Sequence, residues 1–215
     1  MMSVSAVIIA WNEADSIVSC IESLLNQTVK PSEILLIDAC STDDTVALAQ
    51  QYPVAVYSVN FHDIYRSKRL GILTSKNDIV LCIDGDSWIV PDFIANGLQL
   101  LNQGYDLACG YISPVNVNPL TQTIAWIMNH ETNYLSGPAY MVKRGTYLQV
   151  CQIKKVDGLQ DQCDKSKELP LYEFKNRVKS DKLQIHTRLP TRLQQETGLL
   201  LGGATGLLAL TYPKF

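Results

Sequence analysis

Apolar and polar positions alternate along the first hundred residues in two rhythms, and their order is the first thing the chain discloses. Residues 4–10 (Val-Ser-Ala-Val-Ile-Ile-Ala) and 34–38 (Ile-Leu-Leu-Ile-Asp) are short, nearly unbroken apolar runs, the pattern of strands covered on both faces in a parallel sheet. Between them Ile17, Ile21, Leu24 and Leu25 recur at helical spacing behind the polar group Asn12-Glu13-Ala14-Asp15, which can cap a helix. This predicts a strand–helix–strand unit. Ser41-Thr42-Asp43-Asp44 offers a second helix start continued by Val46 to Gln50, and Val54 to Val59 supplies a third strand. Residues 65–76 read as a helix, 79–83 as a strand, and Pro91 opens a helix through Leu101. Beyond residue 105 the alternation weakens to a strand at Leu107–Tyr111, a helix at Leu120–Leu135, a turn at Ser136-Gly137-Pro138 and a strand at Ala139–Val142. The fold class is therefore α/β, with a mainly parallel central sheet flanked by helices.

The tail breaks from this pattern. Gly198–Leu210 is a run of Gly, Ala, Leu and Thr, too short to cross a bilayer. It is expected to pack as a terminal helix, the alternative being a place at a membrane surface beside the basic residues that precede it.

With 215 residues, 47% of them hydrophobic, and no Pro/Gly/Ser-rich linker, the chain is expected to form one domain. Its divisions are a regularly alternating half over 1–104, a less regular half over 105–192 and an apolar segment over 193–215. The six cysteines form no Cys-x-x-Cys pair and several sit in apolar runs, so they read as reduced. No secretory leader is visible, and a cytoplasmic location follows, extending to the membrane surface if the tail lies there.

Charge is unevenly spread. Residues 143–192 carry twelve Lys and Arg against six Asp and Glu in a chain whose net charge is −3. A diphosphate, an anionic headgroup or an acidic polymer suits such a segment, or it is simply solvated surface. Nucleic acid is disfavoured in an acidic chain without interleaved basic and aromatic residues.

The candidate chemistry sits at the end of the fourth strand, where Ile79-Val80-Leu81-Cys82-Ile83 delivers Asp84-Gly85-Asp86. Residues two apart share a face, and Gly85 relaxes the backbone so that both carboxylates can turn to one ligand. Two hard oxygen donors suit Mg²⁺ or Mn²⁺, with water and phosphate oxygens completing the shell. Taken alone the pair is equally well a polar turn.

Several segments together resemble the inverting glycosyltransferases of family 2, which have the GT-A fold. They are Val7-Ile8-Ile9-Ala10-Trp11-Asn12-Glu13, Ser23-Leu24-Leu25-Asn26-Gln27-Thr28, Leu36-Ile37-Asp38-Ala39-Cys40-Ser41-Thr42-Asp43-Asp44-Thr45 and the Asp-x-Asp at its expected distance. The resemblance implies that Trp11, Glu13 and Asp38 line a nucleotide pocket. It implies also that Asp84 contacts the donor and that Asp84 and Asp86 hold the metal, while Lys68, between Arg66 and Arg69, falls near the family's basic position and faces phosphate or merely solvent. Ala39 and Cys40 replace the family's second Asp and usual Gly, which leaves the base of the donor open. For the general base the nearest match is Asp161 in Gly158-Leu159-Gln160-Asp161-Gln162, with Asp157 and Asp164 as competitors. His186 reads as structural, and the Gln-x-x-Arg-Trp signature of processive synthases is absent, so single-sugar addition is expected.

The function implied is transfer of one sugar from a nucleotide-sugar donor to an acceptor hydroxyl, with inversion and a divalent cation. A glycan or lipid-linked acceptor fits the second half. A binding or scaffold protein that has lost turnover is the alternative, motivated by Ala39 and Cys40. A nucleotidyltransferase is disfavoured because Ala10-Trp11-Asn12-Glu13 stands where a Gly-rich phosphate loop belongs.

Overall fold

Strand β1 (Val4–Ala10) is buried at every position because both of its faces are covered. The computed structural model describes residues 3–130, 138–151 and 174–188, with the backbone of the pairs 200–201 and 208–209. Val4, Ala6 and Ile8 face one cluster with Ile17, Ile21 and Leu24 of α1 (Ile17–Leu25) and Phe93, Ile94 and Leu101 of α4 (Phe93–Asn102). Val7 and Ile9 face the other, with Leu70 and Ile72 of α3 (Ile64–Thr74) and Tyr147 of α6 (Arg144–Val150). The strand thus reads as one apolar run, with alternate residues serving opposite layers.

β2 (Glu33–Asp38) and β4 (Ile79–Asp84) flank β1 in parallel, and β3 (Ala55–Ser58) extends the sheet beyond β2. On the far side β4 meets β7 (Ala139–Lys143) antiparallel, and β7 meets β6 (Leu107–Pro114) antiparallel. β6 then runs parallel to β8 (Arg177–Thr187), whose end pairs antiparallel with the short β5 (Ser87–Ile89). The order of this eight-stranded sheet is β3-β2-β1-β4-β7-β6-β8-β5. Its first four strands are parallel, as the apolar runs predict; the second half is mixed. Strands from both sides of residue 104 join the one sheet.

The helices fall where the spacing places them: α1, the short α2 (Thr45–Ala49), α3, α4 and α5 (Pro119–His130). Residues 131–135 of the predicted fifth helix, and Gly137, lie outside the described residues. Three elements before the tail were not predicted. β5 has three residues, α6 follows β7 directly, and β8 carries Lys179, Asp181 and Lys182 in a pattern whose buried alternation shows only at Leu183, Ile185 and Thr187.

The tail corrects the expectation of a terminal helix. Leu200–Leu201 (β9) and Leu208–Ala209 (β10) pair antiparallel. The run holds four glycines, each costing a helix about 1 kcal/mol relative to Ala. Among the described residues no helix is long and apolar enough to cross a membrane.

Candidate active site

Parallel pairing decides where the chemistry sits. Ile9 lies opposite Asp84 and Ala10 opposite Asp38, so the segments that follow β1, β2 and β4 leave the sheet side by side at its carboxyl edge. Ligands of open α/β sheets bind at such edges.

The first two of these segments are tied together. Asn12 N–H donates to Ser41 Oγ at 2.9 Å, Glu13 N–H to Thr45 Oγ1 at 2.7 Å and Ala14 N–H to Asp43 Oδ2 at 3.0 Å, while Asn12 Oδ1 accepts from Thr42 N–H at 2.7 Å. Asn12 and Cys40 both adopt left-handed backbone, with φ of 55° and 64°. Asn tolerates this region; Cys40 holds it without the conformational freedom a glycine would have. The polar group 12–15 therefore binds the neighbouring loop. The helix start is formed instead by the Glu13 carbonyl, which accepts from Ser16 and Ile17 N–H.

The third segment places the Asp pair. Asp84 Oδ1 lies 2.8 Å from Lys68 Nζ, both side chains largely buried, and the Lys68 ammonium stands 5.8 Å from the Tyr140 ring centroid. Lys68, read from sequence as a phosphate-facing or solvent residue, is thus an internal partner of Asp84 at the cavity wall. Gly85 packs closely: a Cβ there would meet Ala10 Cβ at 3.0 Å and the Ile9 carbonyl at 3.2 Å. Asp86 Oδ1 accepts from Ser87 Oγ at 2.9 Å, and Ser87 Oγ accepts in turn from the Thr187 hydroxyl at 2.8 Å, which locks the pair to the end of β8.

A cavity of about 100 Å³ opens here, lined by Trp11, Glu13, Ala39, His62, Asp63, Asp84 and Asp86 with apolar neighbours from β1 and α3. Of the sequence candidates, Trp11, Glu13, Asp84 and Asp86 line it. Asp38 is buried at 2% exposure, its Oδ1 accepting from Ser41 N–H, and is not among the lining residues. His186 stacks on Trp88 at 6.1 Å along the β5–β8 pair, away from the lining. Asp161, Asp157 and Asp164 lie outside the described residues. His62 and Asp63 were missed; the signal available was that the loop after any parallel strand of this sheet opens on the same edge.

Crowding of acids sets the electrostatics. Burial pushes the Asp86 carboxyl up to about 6, with repulsion from Asp84 adding and the Ser87 hydroxyl opposing. Burial likewise raises Glu13 to about 7, against the hydrogen bond from Ser16 Oγ and with Asp86 and Asp84 adding. Asp84 is raised by burial and drawn back by Lys68. Three acids that resist ionising together call for positive charge from a ligand.

The donor set fits a hard cation held in part by the protein. Among the described residues no three His, Cys, Asp or Glu side chains converge as a complete cage, and one Asp84 oxygen is already paired with Lys68. Asp86 and the rest of Asp84 suit an ion that keeps waters and takes phosphate oxygens from a substrate.

The model of glycosyl transferase family 2 matches residues 5–187. Chondroitin synthase of Escherichia coli is 30% identical over 156 residues, covering 69% of this chain and 21% of that protein. The putative glycosyltransferase EpsH of Bacillus subtilis is 29% identical over 117 residues, 51% of this chain and 33% of the relative. The chain thus spans only 21% to 33% of the length of these two relatives. Among solved structures, S. aureus TarS 1–349 in complex with UDP-GlcNAc superimposes with a TM-score of 0.66 at 16% identity, covering 88% of this chain and 60% of that one. Glucosyl-3-phosphoglycerate synthase from Mycobacterium tuberculosis with Mn²⁺, UDP-glucose and phosphoglyceric acid gives 0.51 at 22% identity, covering 68% and 58%. The fold is that of the GT-A glycosyltransferases, and the match over most of its length shows that this chain belongs to glycosyltransferase family 2.

Proposed function

We propose that this chain transfers a single sugar from a nucleotide-sugar donor to an acceptor hydroxyl, with inversion and with the help of Mn²⁺ or Mg²⁺. The observation that carries the reading is the convergence of Glu13, Asp84 and Asp86 with Trp11 in one cavity at the carboxyl edge of the parallel strands. UDP-sugars are the first donors to test, because TarS and glucosyl-3-phosphoglycerate synthase have been crystallised with UDP-GlcNAc and UDP-glucose.

Trp11 offers an aromatic face for the nucleoside. The buried Lys68–Asp84 pair fixes the Asp84 carboxylate and places a cation beside the diphosphate. Asp86, oriented by Ser87, is the main protein ligand for the divalent ion, with Asp84 contributing. When bound, the ion neutralises charge on the leaving diphosphate. Glu13, raised to about 7, exists in both protonation states near neutral pH and can donate to or accept from a donor hydroxyl. Asp38 acts from behind the loop, holding the Ser41 turn. Asp161 takes the proton of the attacking acceptor hydroxyl. The acceptor is a glycan or lipid-linked sugar met by the second half, with the C-terminal segment at a membrane surface on the cytoplasmic side.

The test is release of nucleoside diphosphate from a panel of UDP-sugars in the presence of Mn²⁺, with the product anomer read by NMR. The reading predicts metal-dependent release, an inverted product, and loss of turnover without loss of donor binding in Asp161→Asn. Donor binding without turnover on any acceptor would instead support the scaffold alternative.

A further inference from the structure

The cavity lining divides by chemistry. Glu13, Asp84 and Asp86, with Lys68 behind them, form the acidic, cation-seeking part. The remaining ionisable side chains of the lining are His62 and Asp63, contributed by the loop between β3 and α3. On the β2 side the lining residue is Ala39, which has no polar atom beyond its backbone, and Asp38 is turned to the Ser41 amide. Polar readout of a nucleoside from β2 is therefore weakened, while a second loop presents two polar groups to the same cavity.

Their geometry suits that task. The exposed His62 ring stands edge-on to Trp11, with centroids 5.3 Å apart and planes at 71°. A heterocycle laid on the Trp11 face would meet the edge of His62, which carries one donor and one acceptor nitrogen when neutral. Asp63 is the N-cap of α3, and its Oδ1 accepts from Arg66 N–H at 2.9 Å. The cap fixes the carboxylate, and its second oxygen takes no hydrogen bond from the described residues. A fixed carboxylate is a fitting acceptor for a vicinal diol and a poor neighbour for a diphosphate, which assigns it to the ribose.

We propose that His62 and Asp63 are the specificity-determining residues of the donor site, His62 reading the edge of the base and Asp63 the ribose hydroxyls. This rests on the donor-site reading above. Nucleoside recognition in this chain is shifted from the loop after β2, where Ala39 and Cys40 stand, to the loop after β3.

Calorimetric titration tests it with Mn²⁺ and UDP, CDP, ADP and GDP, the 2′-deoxy form of whichever binds best, and Mn²⁺ pyrophosphate. The proteins are wild type, His62→Phe and Asp63→Asn. Phe keeps a ring beside Trp11 and removes the nitrogens; Asn keeps the helix cap and removes the charge. His62→Phe is expected to weaken the preferred nucleotide by about tenfold, the worth of one good hydrogen bond, and to flatten the order of the panel. Asp63→Asn is expected to bring the ribo and deoxy forms within about twofold of each other, with pyrophosphate binding unchanged in both variants. An unaltered base order in His62→Phe, or unaltered ribose discrimination in Asp63→Asn, overturns the assignment while leaving the donor site standing. A wild type that binds neither pyrophosphate nor any nucleotide overturns the donor-site reading itself.

Discussion

Replacing Asp86 by Asn should stabilise the metal-free protein, and increasingly so as pH rises from about 4 to above 6. The Asp86 carboxyl is raised from its ordinary 3.8 to about 6, chiefly by burial. Between these values the unfolded chain ionises while the folded one keeps its proton, so stability falls as pH rises through this window and the full cost is reached above about 6. The difference corresponds to about 3 kcal/mol at pH 7.5 and to about 0.5 kcal/mol at pH 4. Asn retains an oxygen to accept from Ser87 Oγ but introduces an amide that must find partners, so a net gain of about 1–2 kcal/mol at pH 7.5 is expected. For a chain of this size that is about 2–8 °C in Tm. The assay is urea unfolding of wild type and Asp86→Asn with a chelator present, at pH 4, 6 and 7.5. A variant no more stable than wild type at pH 7.5, or equally stabilised at pH 4, refutes the argument that a buried, crowded carboxylate is maintained at a cost to the fold.

Lys68→Met should destabilise by about 3–5 kcal/mol, because it leaves Asp84 buried without its cation; adding Asp84→Asn should recover much of the loss, as read from urea midpoints. Gly85→Ala forces a methyl group to 3.0 Å from Ala10 Cβ and 3.2 Å from the Ile9 carbonyl, and should cost about 1–3 kcal/mol while abolishing donor binding measured by calorimetry. Cys40→Val places a β-branched residue at φ of 64° and should lower stability by about 2 kcal/mol, whereas Cys40→Gly should be neutral or slightly stabilising; thermal melts of the two variants compare them directly.

The parallel half of the fold was legible because strands covered on both faces must be apolar throughout, and Val4–Ala10 and Ile79–Ile83 leave no other reading. The Asp pair was legible for the same reason: polar residues that end such a run arrive at the sheet edge. β8 escaped because its outward positions carry Lys and Asp and its pairing is long-range, with a register shift between Gly110 and Tyr111 that no local pattern encodes. The role of Lys68 escaped too. On a helix with Arg66 and Arg69 it reads as a basic surface, and only the approach of α3 to β4 buries it against Asp84. Asp38 shows the converse limit, since its place at a strand end was clear while the direction of its side chain depends on the Ser41 turn. The tail looked helical by composition, but its glycines weigh against a helix and its described residues form a paired ladder.

The most direct test of the central claim is calorimetric titration of UDP, with and without Mn²⁺, into wild type and Asp86→Ala. The account predicts binding that requires the metal and is lost in the variant while the variant stays folded. Metal-independent binding of equal strength in both proteins would contradict a donor site built on Asp84 and Asp86.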